Sequence, residues 1–225
     1  MNKTKIFNVA TYKRDSFLLK TIESIYEQAD VINVALNSHT EKPKELIDSK
    51  INLYLTDNSI GDGFKFLRME QSDGFFFTID DDLIYPKNYS DYMIEKYLYY
   101  DCKRVVTLHG RSFKSFPISS YYRGNKIAYR CLGDVVNDVN VQFGGTGVML
   151  IHTDLFKLPI NYIKHPNMAD IWVGNYCYEN NIQIVCVKHD SNFLDYQSEV
   201  GNDTIHNKTA FSDKTQTNVV NGLWK

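Results

Sequence analysis

Three consecutive aspartates, Asp80, Asp81 and Asp82, end the apolar run Gly74-Phe75-Phe76-Phe77-Thr78-Ile79. Adjacent carboxylates repel one another unless a cation neutralises them, and no Lys or Arg adjoins them in sequence. Hard divalent cations take oxygen ligands, and Mg²⁺ or Mn²⁺ is commonly shared with substrate phosphates. The cluster therefore reads as a metal site. The plainer reading is an acidic turn in solvent. Against it stand the apolar strand before the cluster and Leu83-Ile84-Tyr85-Pro86 after it, which suggest a held loop.

The elements that must position these residues alternate between strand and helix. The run before the aspartates is short, aromatic and β-branched, so it predicts a buried strand over Phe75–Ile79. α/β folds bind ligands at the C-terminal ends of such strands. Further strands are expected at Ile6–Ala10, Val31–Leu36, Ile51–Leu55, Arg104–Leu108, Gly147–Ile151 and Ile182–Val187. A helix capped by Asp15 or Ser16 should run to about Gln28, with Leu18, Ile22, Ile25 and Ala29 on one face. Others are expected over 64–71, 90–100 and 168–180, and Arg111–Asn140 reads as extended loops or an excursion. The alternation predicts a mainly parallel sheet with helices on both faces. After His189 the chain turns polar, which suits a flap or a partly ordered wrap.

The chain's 225 residues fit one domain, and 43% hydrophobic content supports a real core. A net charge of −2 gives no global basic field for nucleic acid or an anionic membrane. No stretch approaches a transmembrane span or a signal peptide. Cys102, Cys131, Cys177 and Cys186 lack Cys-x-x-Cys spacing, so zinc is not expected and free thiols suit a reducing, cytoplasmic compartment. Sixteen Tyr and thirteen Phe are many for this length; most must be core, but sugar sites also use ring faces.

Several segments recur together in one known family: Ala10-Thr11-Tyr12-x-Arg14, Gly61-Asp62-Gly63-x-Lys65-Phe66, the strand ending in Asp80-Asp81-Asp82, Gly144-Gly145-Thr146-Gly147 and Asn167-Met168-Ala169-Asp170-Ile171-Trp172. In that order they resemble a GT-A glycosyltransferase. The likeness is greatest to small metal-dependent enzymes that build bacterial surface polysaccharides and, in some large DNA viruses, capsid glycans. It covers about residues 6 to 187. The resemblance implies one GT-A domain: a Rossmann-like nucleotide-sugar half (about 1–110), an acceptor half with a small sheet (about 111–190) and a tail (191–225). It implies metal-dependent transfer from a nucleotide-sugar donor, a UDP-sugar first, to a glycan acceptor, with inversion. A lipid-linked acceptor would bring the chain to a membrane surface.

The resemblance also distributes roles. Asp82 and Asp80 would hold Mn²⁺ or Mg²⁺, with Asp80 also reaching the ribose side, and Asp81 would point the other way by strand alternation. Thr11, Tyr12 and Arg14 would meet the nucleotide, although Arg14 could be only a surface cation, poorly placed on a helix's first turn. Asp62 could accept the uracil N3–H and Lys65 could reach phosphate; the plainer readings are a helix cap and a solvated lysine. Asp170 would be the base that takes the acceptor's proton. It could equally complete a capping pair with Asn167. Trp172 is an acceptor platform or core. His189 would supply a third metal ligand, with His206 as its competitor, and His109 could line the cleft; for each the plainer and favoured reading is a hydrogen-bonded structural histidine. Gly144, Gly145 and Gly147 allow close approach of ligand or form a tight turn.

Other functions fit less well. An aspartate-based phosphotransferase wants a hydroxyl residue after its Asp-x-Asp, and Leu83-Ile84 lacks one. A nucleotidyltransferase wants glycines after the first strand. A non-catalytic glycan- or nucleotide-binding module would not need the aspartates.

Overall fold

The computed structural model describes residues 1–197 and 213–224. β1 (Lys5–Thr11) leads to α1 (Asp15–Ile25), β2 (Val31–Asn37) and β3 (Ile51–Thr56). β4 (Phe75–Ile79), β5 (Leu83–Ile84), α2 (Tyr89–Tyr99) and β6 (Arg104–Thr107) follow. Five short strands come next: β7 (Gly110–Phe113), β8 (Lys126–Tyr129), β9 (Val139–Val141), β10 (Phe143–Gly144) and β11 (Val148–His152). The chain ends with α3 (Ala169–Glu179), β12 (Gln183–Cys186), β13 (Asp195–Tyr196) and α4 (Lys214–Leu223).

Eight strands form one mainly parallel sheet in the order β3-β2-β1-β4-β11-β6-β12-β9. β11 runs antiparallel to both β4 and β6, and β9 antiparallel to β12. Parallel strands covered on both faces read as continuous apolar runs, and β4 is buried at all five positions. Its side chains alternate between two cores. Phe75, Phe77 and Ile79 join α1 and α2 on one face, while Phe76 joins α3 and α4 on the other. Phe7 on β1 and Phe77 on β4 are register partners, and their rings stack with centroids 4.5 Å apart. On the second face β1, β2 and β3 carry a polar rung: Asn33 donates to Asn8 at 2.8 Å and Asn52 donates to Asn33 at 3.1 Å. Smaller sheets of order β10-β7-β8 and β13-β5 flank the main one.

Three local expectations change. Residues 64–71 form no α-helix but two 3₁₀ turns, Gly61–Phe66 and Met69–Gln71. Gly61 enters with φ of +56°, and a Cβ there would lie 2.1 Å from Asn167 Oδ1, so the chain passes too tightly for a regular helix to begin. The 111–140 stretch holds β7, β8 and most of β9, strands of three or four residues that are too short to show periodicity. α1 is entered through Arg14 with no side-chain cap; Asp15 instead lies inside the first turn, where its charge suits the dipole. No helix among the described residues is long and apolar enough to cross a membrane.

Candidate functional site

β1 has β2 on one side and β4 on the other. The chain leaves β1 through α1 to β2 and reaches β4 only later, so the crevice beyond the C-terminal ends of β1 and β4 is a topological switch point. Open α/β sheets bind ligands at such points. Thr11 and Arg14 leave β1 there, and Asp80, Asp81 and Asp82 leave β4 there.

β4 ends at Ile79 and the chain turns at Asp81–Asp82, so strand alternation does not carry through the triplet. Asp81 is 1% exposed and accepts from Thr11 Oγ1 at 2.6 Å, from Arg14 Nε at 3.2 Å and from Arg14 Nη2. Arg14 Nη1 also lies 3.5 Å from Asp82 Oδ2, while buried Lys65 pairs with Asp80. The triplet thus has two cationic neighbours in space that are distant in sequence. Asp80 is held by its backbone: its N–H donates to Tyr85 Oη at 2.9 Å, and Tyr85 Oη donates to Gly147 O at 2.6 Å. Gly147 must be glycine, because a Cβ there would sit 1.9 Å from Asp80 Oδ2.

The charges do not balance evenly. Burial lowers the pKa of Arg14 and of Lys65, but the facing aspartates outweigh it and both are raised. Burial raises the Asp81 carboxyl against the pull of Arg14 and Thr11. Asp82 is pushed up to about 7, first by burial and then by Asp80 and Asp81. At Asp82, Arg14 and Lys65 do not fully offset burial and the two neighbouring carboxylates.

Among the described residues, no three His, Cys, Asp or Glu side chains are arranged to hold a metal by themselves. Asp80 and Asp82 offer hard oxygen donors of the kind that hold Mg²⁺ when substrate phosphates complete the shell. His189 does not present a free nitrogen to them. Its Nδ1 lies 2.7 Å from Val187 O and its Nε2 3.1 Å from Arg130 O, and its backbone bridges to Val135. His206 lies outside the described residues.

Asp62 ties two segments together. Its Oδ1 accepts the Ala169 N–H at 3.3 Å, and its own N–H donates to Asn167 Oδ1 at 3.4 Å. It caps α3 from another part of the chain. This replaces the expected Asn167–Asp170 capping pair: Met168 is the N-cap and makes no side-chain cap bond. Asn167 itself has φ of +58°. Burial raises Asp62 to about 7, opposed by Lys65 and reinforced by Asp170 and Asp80. Those four groups therefore share one neighbourhood.

Asp170 lies in the first turn of α3 and accepts from Ile171 N at 3.0 Å and from Tyr121 Oη. Arg111 lies over the Tyr121 ring, 4.4 Å from its centroid. Trp172 is core: it is 5% exposed and stacks on His165 with centroids 5.6 Å apart. Gly144 and Gly145 are crowded by Met149, Ile184 and His109, so their close approach is to protein. Tyr12 is 49% exposed beside the crevice. A cleft of about 490 Å³ opens near it, past the ends of β1 and β2, lined in part by Lys13, Asp15, His39 and Lys42.

Sequence reasoning missed Tyr85, Tyr121, Arg111 and Tyr196. β13 pairs with β5, and Gln197 N donates to Asp82 O at 3.0 Å, which brings Tyr196 beside the triplet. Asp82 helps to raise the Tyr196 hydroxyl pKa, second to burial. The only sequence signal for the three tyrosines was the tyrosine excess, which does not say which rings line a cleft, and Arg111 carried none. No protein-family model matches the chain, and no curated protein is found to resemble it in sequence.

Proposed function

We propose that this chain is a glycosyltransferase of the GT-A type, which moves a sugar from a nucleoside diphosphate donor to a glycan acceptor. The observation that carries the reading is the meeting of Arg14, Lys65, Asp80 and Asp82 at the switch point between β1 and β4. A leaving nucleoside diphosphate gains charge as the glycosidic bond breaks, and preorganised cations stabilise that charge. Arg14 suits phosphate with its planar fork of donors, and Lys65 with a point charge. Asp80 and Asp82 are the residues that would hold Mn²⁺ or Mg²⁺. When bound, the ion would neutralise the diphosphate.

Asp170 is the base in this reading. The acceptor oxygen attacks the anomeric carbon, and the bond from that carbon to the diphosphate oxygen breaks with its electron pair. The acceptor's proton passes to an Asp170 carboxylate oxygen. Attack from the opposite face inverts the anomer. The Tyr121 hydroxyl bond to Asp170 orients the carboxylate. The resemblance favours a UDP-sugar. Asp62, the residue behind that preference, has one oxygen committed to α3, which leaves the other for a base.

A second reading follows from the ion pairs. Arg14 and Lys65 already face the carboxylates, and on release they could carry the diphosphate without a metal. Calorimetry with UDP, GDP, dTDP and CMP, each with Mn²⁺ and with EDTA, separates the two, alongside a hydrolysis screen of the matching sugar nucleotides. Mn²⁺-dependent UDP binding with hydrolysis of a UDP-sugar supports the first reading. Equal binding in EDTA supports the second. Failure of all four nucleotides to bind sinks both.

A further inference from the structure

β7 and β8 form an antiparallel ribbon in which Arg111 stands directly opposite Ala128. Directly opposed residues project to the same side of a ribbon, as do residues two apart on one strand. Lys126 is two residues from Ala128 on β8 and shares that side, where its Nζ donates to Tyr122 O; Arg130, just past the strand's end, is near enough that it and Arg111 both act on Lys126. Like charges gathered this closely repel one another. Arg111 is half-buried, with Tyr121 and Tyr122 at 4.4 and 5.4 Å from its guanidinium carbon. Among the described residues no carboxylate forms a salt bridge with it and its guanidinium donates no hydrogen bond. Burial lowers the Lys126 pKa, and Arg111 and Arg130 add to that against Asp213. Burial also takes His109 down to about 4, with Arg111, Arg130 and His189 adding to it and Asp80 opposing. Asp170 is the nearest counter-charge: with Tyr121 it outweighs burial and raises the Arg111 pKa, but it makes no direct ion pair with the guanidinium and accepts from Tyr121 instead. Asp213 accepts from Ser120 Oγ at 2.6 Å and Tyr122 N at 2.7 Å.

A half-buried guanidinium with ring faces and one distant carboxylate around it, but no hydrogen-bonded acceptor among the described residues, keeps its fork of donors free for an anion. We propose that Arg111, Lys126 and Arg130 form an anion subsite on the acceptor side of the cleft, so that the acceptor glycan carries a negative group, a carboxylate or a phosphate, on the residue that meets Asp170. The guanidinium fork matches either group through two parallel N–H bonds. The inference rests on the transferase reading for the word acceptor; the anion site itself does not.

The test is a ligand-observed NMR titration of the full chain with methyl β-glucuronide, methyl glucoside 6-phosphate and methyl glucoside, each with and without UDP. Either anionic probe should bind roughly tenfold or more tightly than the neutral one, as charged hydrogen bonds would give. The tighter of the two identifies a uronate or a phosphate. Lys126→Met and Arg130→Met should each erode that preference while UDP affinity stays unchanged. Arg111→Met, which removes the guanidinium over Tyr121 and keeps an unbranched side chain, should abolish it. The Lys126 and Arg130 variants alter exposed or half-exposed side chains, so the test survives a folding failure at Arg111. Equal binding of charged and neutral probes overturns the proposal, as does a preference that survives in both exposed-site variants. Competition between UDP and the anionic probe also overturns it, because the cluster would then hold the donor diphosphate. If UDP never binds while the anionic preference holds, the transferase reading falls and the anion site stands.

Discussion

Asp81→Asn and Asp82→Asn are the same chemical change at adjacent positions, and the structure assigns them opposite consequences. Asp81 is 1% exposed and answers three donors from Arg14 and Thr11. Removing one partner of a buried ion pair costs about 3–5 kcal/mol. Arg14 keeps 19% of its side chain exposed and has Asp82 at 3.5 Å as a second acceptor. That relief brings the expected loss down to about 2–3 kcal/mol. For a chain this long each kcal/mol moves the melting temperature by about 2–4 °C, so Asp81→Asn should melt roughly 4–12 °C lower. Asp82 is different. Burial and then its two acidic neighbours resist its charge, so at pH 8 the neutral isostere should leave stability unchanged or raise it by about 1 kcal/mol. Mn²⁺-dependent nucleotide binding should nevertheless disappear. Guanidinium unfolding followed by tryptophan fluorescence, with calorimetry of UDP, measures both. A loss below about 1 kcal/mol at Asp81 would refute the ion-pair argument. Equal losses at both positions would refute the division of labour.

Asp170→Asn should cut transfer by roughly 10²–10⁴ in a coupled assay while the melting temperature and UDP affinity barely move; near wild-type turnover would return Asp170 to a purely structural role. Tyr121→Phe should lower the transfer rate by a smaller factor and leave UDP affinity intact, and a change in affinity instead would mean the hydroxyl serves the donor. Asp62 titrates at about 7 in the fold, raised mainly by burial, against an ordinary carboxylate value when unfolded. The folded chain then binds more protons between those limits, so stability falls as pH rises from about 4 to about 7. Asp62→Asn should flatten part of that slope in denaturation series at several pH values, and an unchanged slope would mean that the carboxyl is not raised.

The parallel half of the sheet was legible because it obeys the simplest rule: buried strands are short apolar runs, and Phe75–Ile79 matches its predicted bounds. α1 was legible through the spacing of the buried Leu18, Ile22 and Ile25, although it stops at Ile25: Tyr26–Gln28 tighten into a 3₁₀ turn and Ala29, also buried, is extended. The acidic triplet was found, but its partners were not. Arg14 lies 67 residues from Asp81, and no pattern along a chain records a pairing made by two strands lying side by side. The role of Asp62 was hidden for the same reason, since it caps a helix 107 residues away. The Arg111 cluster was missed because strands of four residues carry no readable period, so the pairing that gathers its cations could not be drawn.

The position of β11 has a consequence for how the chain is made. β4 and β6 both belong to the first half of the sequence, yet they do not touch in the sheet: β11 lies between them and pairs with each. A nascent chain that has emerged only to residue 110 holds β1 to β4 and β6 but lacks the strand that joins β4 to β6. The sheet cannot close until His152 has left the ribosome. Until then the aromatic strand β4 shows a bare edge, which is a template for pairing with other chains. Contacts this distant in sequence form slowly. Synthesis of this protein therefore passes through a window in which Phe75-Phe76-Phe77 is complete, apolar and unpartnered on one side, and a chaperone that binds short aromatic segments would find it there.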